Sequence, residues 1–189
     1  FDTTIALAPP NGLPVAADLA AGFQGTEQPT DGSTITVQYG TAHTPDSYSD
    51  FTDLRNWNDY AVVVLDEAVE GITPAVIAPR GYLDGFEQPT LNKTLFTAVG
   101  FGTEVRKPVA GPQKPTAFSY PIIRRNADAP GQKLTPQIVQ VNGNINDTRG
   151  TGGTCFGDSG GPSFVDGYLV TVTSYGYTSN CRYIGGLQR

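Results

Sequence analysis

The chain has 189 residues, 38% hydrophobic and 16% charged, which suits one medium domain or two small halves and argues against wholesale disorder. Its net charge of −6, with no basic cluster beyond Arg106-Lys107 and Arg124-Arg125, argues against nucleic acid as a partner. One histidine, two cysteines and scattered carboxylates give no metal-ligand spacing, so neither metal nor cofactor is expected.

In chain order, the first expected element is a single helical turn over the Ala-rich stretch Val15–Ala21, entered through Pro14. Ile35, Val37 and Tyr39 then alternate with Thr34, Thr36 and Gln38, the pattern of a half-buried strand. The run Ala61-Val62-Val63-Val64-Leu65 reads as a strand buried on both faces, and is far short of the ~20 residues that span a bilayer. Proline and glycine punctuate residues 71–92, where strand periodicity is missing and a connection between two halves is expected. Further strands are expected at Phe96–Phe101, Gln137–Val141 and Tyr168–Tyr175. Asp166-Gly167, between Phe164-Val165 and Tyr168-Leu169, is a two-residue hairpin signal. Abundant Gly (23) and Pro (15) around such short apolar runs indicate a turn-rich all-β fold.

The hexapeptide Gly157-Asp158-Ser159-Gly160-Gly161-Pro162 frames one serine with three glycines. It arises by chance in a chain this long with a probability on the order of one in 100,000. A serine so framed is a candidate nucleophile and needs a base, usually histidine. The only histidine is His43, and the two cysteines, Cys155 and Cys181, are either one disulfide or two free thiols. Asn92-Lys93-Thr94 and Asn146-Asp147-Thr148 are glycosylation sequons of little weight by themselves.

Residues Gly153–Pro162, Ser174-Tyr175-Gly176, Cys181, Gly185-Gly186 and Asp59–Leu65 together resemble the trypsin-like (chymotrypsin-family) serine proteases, with the order of segments preserved through most of residues 30–189. The resemblance implies two antiparallel β-barrels with the active site in the cleft between them. On that basis residues 1–80 form an incomplete N-terminal barrel, 81–94 the connection, and 95–189 the barrel with the nucleophile and specificity pocket. It also implies Ser159 as nucleophile, Asp59 as the acid that orients the base, and the Gly157 and Ser159 N–H groups as the oxyanion hole. Cys155 and Cys181 match the family's cysteine pair beside the pocket, which implies a disulfide. Asp158 matches an aspartate that pairs in the family with a freed N-terminal amine; no matching start is present here, so its partner is open. The pocket is expected to include Gly153, Thr154, Ser174, Tyr175 and Gly176. With glycine at 153, no buried carboxylate stands ready for a Lys or Arg side chain, so the resemblance points to an uncharged residue before the scissile bond.

The base is the departure from the pattern. His43 lies 16 residues before Asp59 and follows the Ile35–Tyr39 strand, whereas the family's histidine precedes the corresponding strand; Pro45 favours a loop there. A better positional match is Val15-Ala16-Ala17-Asp18-Leu19, 41 residues before Asp59, with Asp18 at the histidine's place. Three readings stay open: Asp18 replaces the histidine, His43 serves through an unusual loop, or the base is absent. Aspartate is a poor substitute, since it is ionised and weakly basic at neutral pH. The expected function is a secreted serine endopeptidase acting on polypeptides or its weakly active homologue. The alternative is an inactive protease-fold module that binds peptides. A monomer is expected, and the chain is expected to be a fragment of a secreted protein, short at the first barrel and at its last strand.

Overall fold

The computed structural model describes residues 14–18, 37–48, 52–53, 55–106, 117–119 and 124–189. Strands β1 (Pro14–Asp18), β2 (Val37–His43) and β3 (Val62–Leu65) form a three-stranded antiparallel sheet in that order. The expected helical turn over Val15–Ala21 is therefore corrected at its start. Residues 14–18 are extended, with Pro14 opposite Thr41 and Asp18 opposite Val37, while 19–21 lie outside the described residues. A ladder of backbone hydrogen bonds to β2 outweighs the few tenths of a kcal/mol of alanine's helix preference. Likewise β2 does not end before Thr41-Ala42-His43 but runs through it, and His43 pairs opposite Val62. Of the expected strand residues, Thr34, Ile35 and Thr36 lie outside the described residues. The expectation that β3 is buried on both faces is also corrected, for Val62 and Val64 are 56% and 59% exposed. Among the described residues β3 is the last strand of its sheet, with β2 on one side only.

The second half is a closed barrel. Strands β5 (Leu95–Gly100), β8 (Arg125–Leu134), β9 (Ile138–Gly143), β12 (Tyr183–Gln188), β11 (Tyr168–Gly176) and β10 (Pro162–Val165) follow one another around it, and β10 closes back on β5. All six neighbour pairs are antiparallel. Short β4 (Val76–Ile77) adds to β11 in parallel, and β6 (Glu104–Arg106) pairs with β7 (Ala117–Ser119) as a separate ribbon. Closure pairs each of the six barrel strands on both sides, and burial alternates along β10 (Ser163 and Val165 buried), while β8 and β12 each bury three consecutive residues. Phe96, Ala129, Val139, Val141, Val165 and Leu187 fill the interior, with Leu83 and Leu91 supplied by the 3-10 turn Tyr82–Gly85 and the one-turn helix α1 (Thr90–Lys93). The Asp166-Gly167 hairpin forms as expected, with both residues at positive φ (50° and 81°), as a primed two-residue turn requires. The fold is thus all-β, as composition indicates.

Candidate active site

The turn that carries Ser159 is fastened on three sides. Asp158 N–H donates to Cys155 O (3.0 Å) and Gly161 N–H to Asp158 O (2.9 Å), which curls the chain tightly. Gly160 N–H donates to Thr173 O (2.8 Å) and Thr173 N–H to Gly161 O (2.9 Å), which ties the curl to β11. On the far side Thr103 donates through both N–H (2.7 Å) and Oγ1 (3.0 Å) to Phe156 O. Gly157 sits at φ 93°, a conformation that a side chain resists. Its N–H makes no hydrogen bond among the described residues, and Ser159 is exposed.

Asp158 finds its partners in the backbone. Oδ1 accepts from Gly102 N–H (2.8 Å) and Oδ2 from Cys155 N–H (2.9 Å), so one carboxylate bridges the start of the Ser159 turn and the segment after β5. A Cβ on Gly100 or Gly102 would run into that carboxylate, which explains glycine at both. The Cys155–Cys181 disulfide is present, with Cα atoms 5.1 Å apart, and joins the same turn to the β11–β12 connection.

Ser159, Gly153, Thr154, Ser174, Tyr175 and Gly176 all line one cavity of about 390 Å³, together with both half-cystines. Among the described residues no charged side chain lines it. Asp166 belongs elsewhere, at the tip of the β10–β11 hairpin, where its carboxylate accepts from Tyr82 OH (2.8 Å) and holds that phenol's pKa above its ordinary value. Phe156, Tyr177 and Tyr183 stand largely exposed around the cavity's mouth.

Asp59 does not line the cavity but is wired to it. Its Oδ2 accepts from Ser174 Oγ (2.6 Å), and Trp57 Nε1–H donates to the same hydroxyl (2.8 Å). Asn58 adopts φ 47°, tolerable for asparagine, and this twist sends Trp57 into the interior and Asp59 toward Ser174. Two glutamines of the barrel hold this backbone. Gln137 Oε1 accepts from Trp57 N–H and Asn58 N–H, and buried Gln188 Oε1 accepts from Asp59 N–H (3.0 Å). Sequence reasoning missed both glutamines and Trp57. The one available signal was the position of the only tryptophan, two residues before Asp59. The other carboxylate oxygen, Oδ1, has no hydrogen-bond partner among the described residues. His43 is exposed at the end of β2, and its side chain makes no hydrogen bond or ion pair among them. Asp18 is the last residue of paired strand β1.

Aromatic rings pave the outside of the barrel here. Trp57 packs on Tyr175 (centroids 5.0 Å apart), and Tyr175 meets Tyr177 edge-on (5.5 Å). Tyr175, Gly186 and Gln140 are direct cross-strand partners on β11, β12 and β9. The Tyr175 ring lies over Gly186, where any Cβ would strike it. Gly186→Ala is expected to destabilise the fold by about 1–3 kcal/mol, as over-packing does. Urea midpoints at unchanged m-value measure this, and a loss below half a kcal/mol would show the ring to be free to move aside.

A closed six-stranded barrel thus carries a glycine-framed serine on the rim of a cavity with no charged lining among the described residues, and an aspartate is wired to the cavity's wall. The family model for trypsin matches residues 20–189, and the chain belongs to the trypsin family. Among solved structures, a double mutant of human heparin-binding protein (CAP37) aligns with TM-score 0.57 at 16% identity, over 85% of this chain and 64% of that one. Neuropsin, a serine protease expressed in the limbic system of mouse brain, aligns with TM-score 0.51 at 19% identity, over 81% and 67%. At such identities the likeness concerns the fold. No curated protein matches the sequence.

Proposed function

We propose that this chain is a secreted serine endopeptidase, or its weakly active homologue, that cleaves polypeptides after an uncharged side chain through an acyl-enzyme on Ser159. The observation that carries the reading is the placement of Ser159 on a 390 Å³ cavity without a charged wall, beside the unpaired N–H of Gly157. In the reaction Ser159 Oγ bonds to the scissile carbonyl carbon as a base takes its proton. Gly157 and Ser159 N–H steady the resulting oxyanion. The C–N bond breaks as the amine regains that proton, and water then hydrolyses the ester. Asp59, anchored through Oδ2 by Ser174, keeps Oδ1 to orient the base and stabilise its cation. The disulfide suits an oxidising compartment and supports secretion.

His43 is not the base in this reading, since its imidazole bonds to neither Asp59 nor any other described side chain. Without a histidine in place, a triad loses on the order of 10⁶ in turnover, so weak hydrolysis of chromogenic peptides is expected. A fluorophosphonate is expected to label Ser159 slowly, because its attack on phosphorus lacks the same base, and Ser159→Ala to abolish the label. His43→Ala is expected to leave labelling unchanged; robust turnover lost only in that variant would make His43 the base. No label at all, with peptides still bound, would replace the peptidase reading by that of a binding module.

A further inference from the structure

We infer that Gln140, Tyr175 and Tyr177 form a hydrogen-bond-donating subsite beside the cavity, which selects a peptide residue bearing a neutral carbonyl acceptor, of the Asn or Gln type. The inference rests on the reading that the cavity takes a peptide. Gln140 Nε2 lies 3.3 Å from Tyr175 OH and 3.2 Å from Tyr177 OH. Its two hydrogens serve one phenol oxygen each, so both phenols accept from it; the Tyr175 hydroxyl also engages the Tyr177 oxygen, which leaves the Tyr177 O–H to turn outward. Both tyrosines line the cavity, and Tyr177 is 62% exposed at its mouth. Burial pushes the Tyr175 pKa up. The rings are held as well as the hydroxyls, by the Trp57–Tyr175–Tyr177 packing and by Gly186, over which Tyr175 reaches β9. A preorganised donor on a firm aromatic wall favours a side chain that brings an acceptor and gains little from a purely aliphatic one.

Trp57, the only tryptophan, touches this wall and reports binding without turnover. Its emission is titrated with N-acetyl tetrapeptide amides that end in Phe and carry Gln, Leu or Lys in turn at each earlier position. At one of these positions Gln is expected to bind about 3- to 10-fold tighter than Leu, the range of a net hydrogen bond or two. Tyr177→Phe is expected to erase that preference while the Leu peptide binds as before. Gln140→Glu is the sharper arm. A carboxylate accepts from both phenols, draws their hydrogens inward, and is expected to invert the order so that the Lys peptide binds best. Loss of thermal stability alone would weaken every peptide equally and leave the order intact. Binding with no Gln preference at any position, or a preference unchanged in Gln140→Glu, overturns the inference and spares the cavity reading. If no peptide moves the emission, the cavity reading falls and the subsite with it.

Discussion

Asp158→Ala is expected to slow fluorophosphonate labelling of Ser159 by about 10²–10³-fold, the cost of losing one oxyanion donor. The carboxylate is the only group that holds Cys155 N–H and Gly102 N–H at once, 2.9 and 2.8 Å away. Removing it frees the entry to the turn in which Gly157, at φ 93°, would present its N–H. Two part-buried donors are also stranded, at roughly 1–3 kcal/mol for such groups. Asp158→Asn keeps a single acceptor oxygen and is expected to fall between the two. Gly102→Ala approaches the same contact from the other side, because its methyl group lands on the carboxylate. The three variants are compared at matched folded fraction, checked by far-UV circular dichroism. Labelling within twofold of the parent in both Asp158→Ala and Gly102→Ala would show that the turn keeps its shape without this bridge.

That bridge illustrates which parts of the site were legible in the sequence. GDSGGP is legible because its glycines, aspartate and serine fall within six residues, and the tight turn they make is complete in the string. The strands with plain alternation or apolar runs, β5, β9 and β11, lie where patterning places them. β8 was invisible: Arg-Asn-Ala-Asp-Ala-Pro-Gly-Gln-Lys-Leu carries turn formers throughout and becomes a strand only between β5 and β9. Its register shift between Gly131 and Lys133 absorbs the irregularity next to Pro130. The partners of Asp59 were hidden for a related reason. Gln137 and Gln188 reach Trp57, Asn58 and Asp59 from about 80 and 129 residues away in sequence, and a glutamine carries no signature of what it will bond. The Val15–Ala21 stretch misled because alanine favours a helix only while no strand offers a ladder. The cavity's neutrality was anticipated from Gly153 alone, yet it depends on every lining residue, including Val141 and Ile184 on strands far from the motif.

Replacing both half-cystines, Cys155→Ser with Cys181→Ser, is expected to cost about 3.5 kcal/mol, from the chain entropy of a loop of this length. The bond closes 26 residues of separation, which span the nucleophile turn, β10, β11 and the connection to β12. Against a typical total stability of 5–15 kcal/mol, that is a large share for one covalent link. The loss is not expected to spread evenly. β10 and β11 are pinned by the barrel, whereas Cys181 is held at φ 55° in a connection fastened mainly through Thr178, whose Oγ1 accepts from Arg182 N–H and donates to Arg182 O. Local opening is therefore expected first at residues 177–183 and 155–157, the two segments that the bond joins. Guanidinium unfolding gives the global loss, and amide exchange with and without the bond gives its distribution. A global cost below 1 kcal/mol, or protection lost uniformly around the barrel, would contradict the expectation. Selective loss at those two segments would mean that the same bond supports the cavity wall and the nucleophile turn. In that case the reduced protein would lose peptide binding and Ser159 labelling together, at denaturant concentrations where the barrel is still folded.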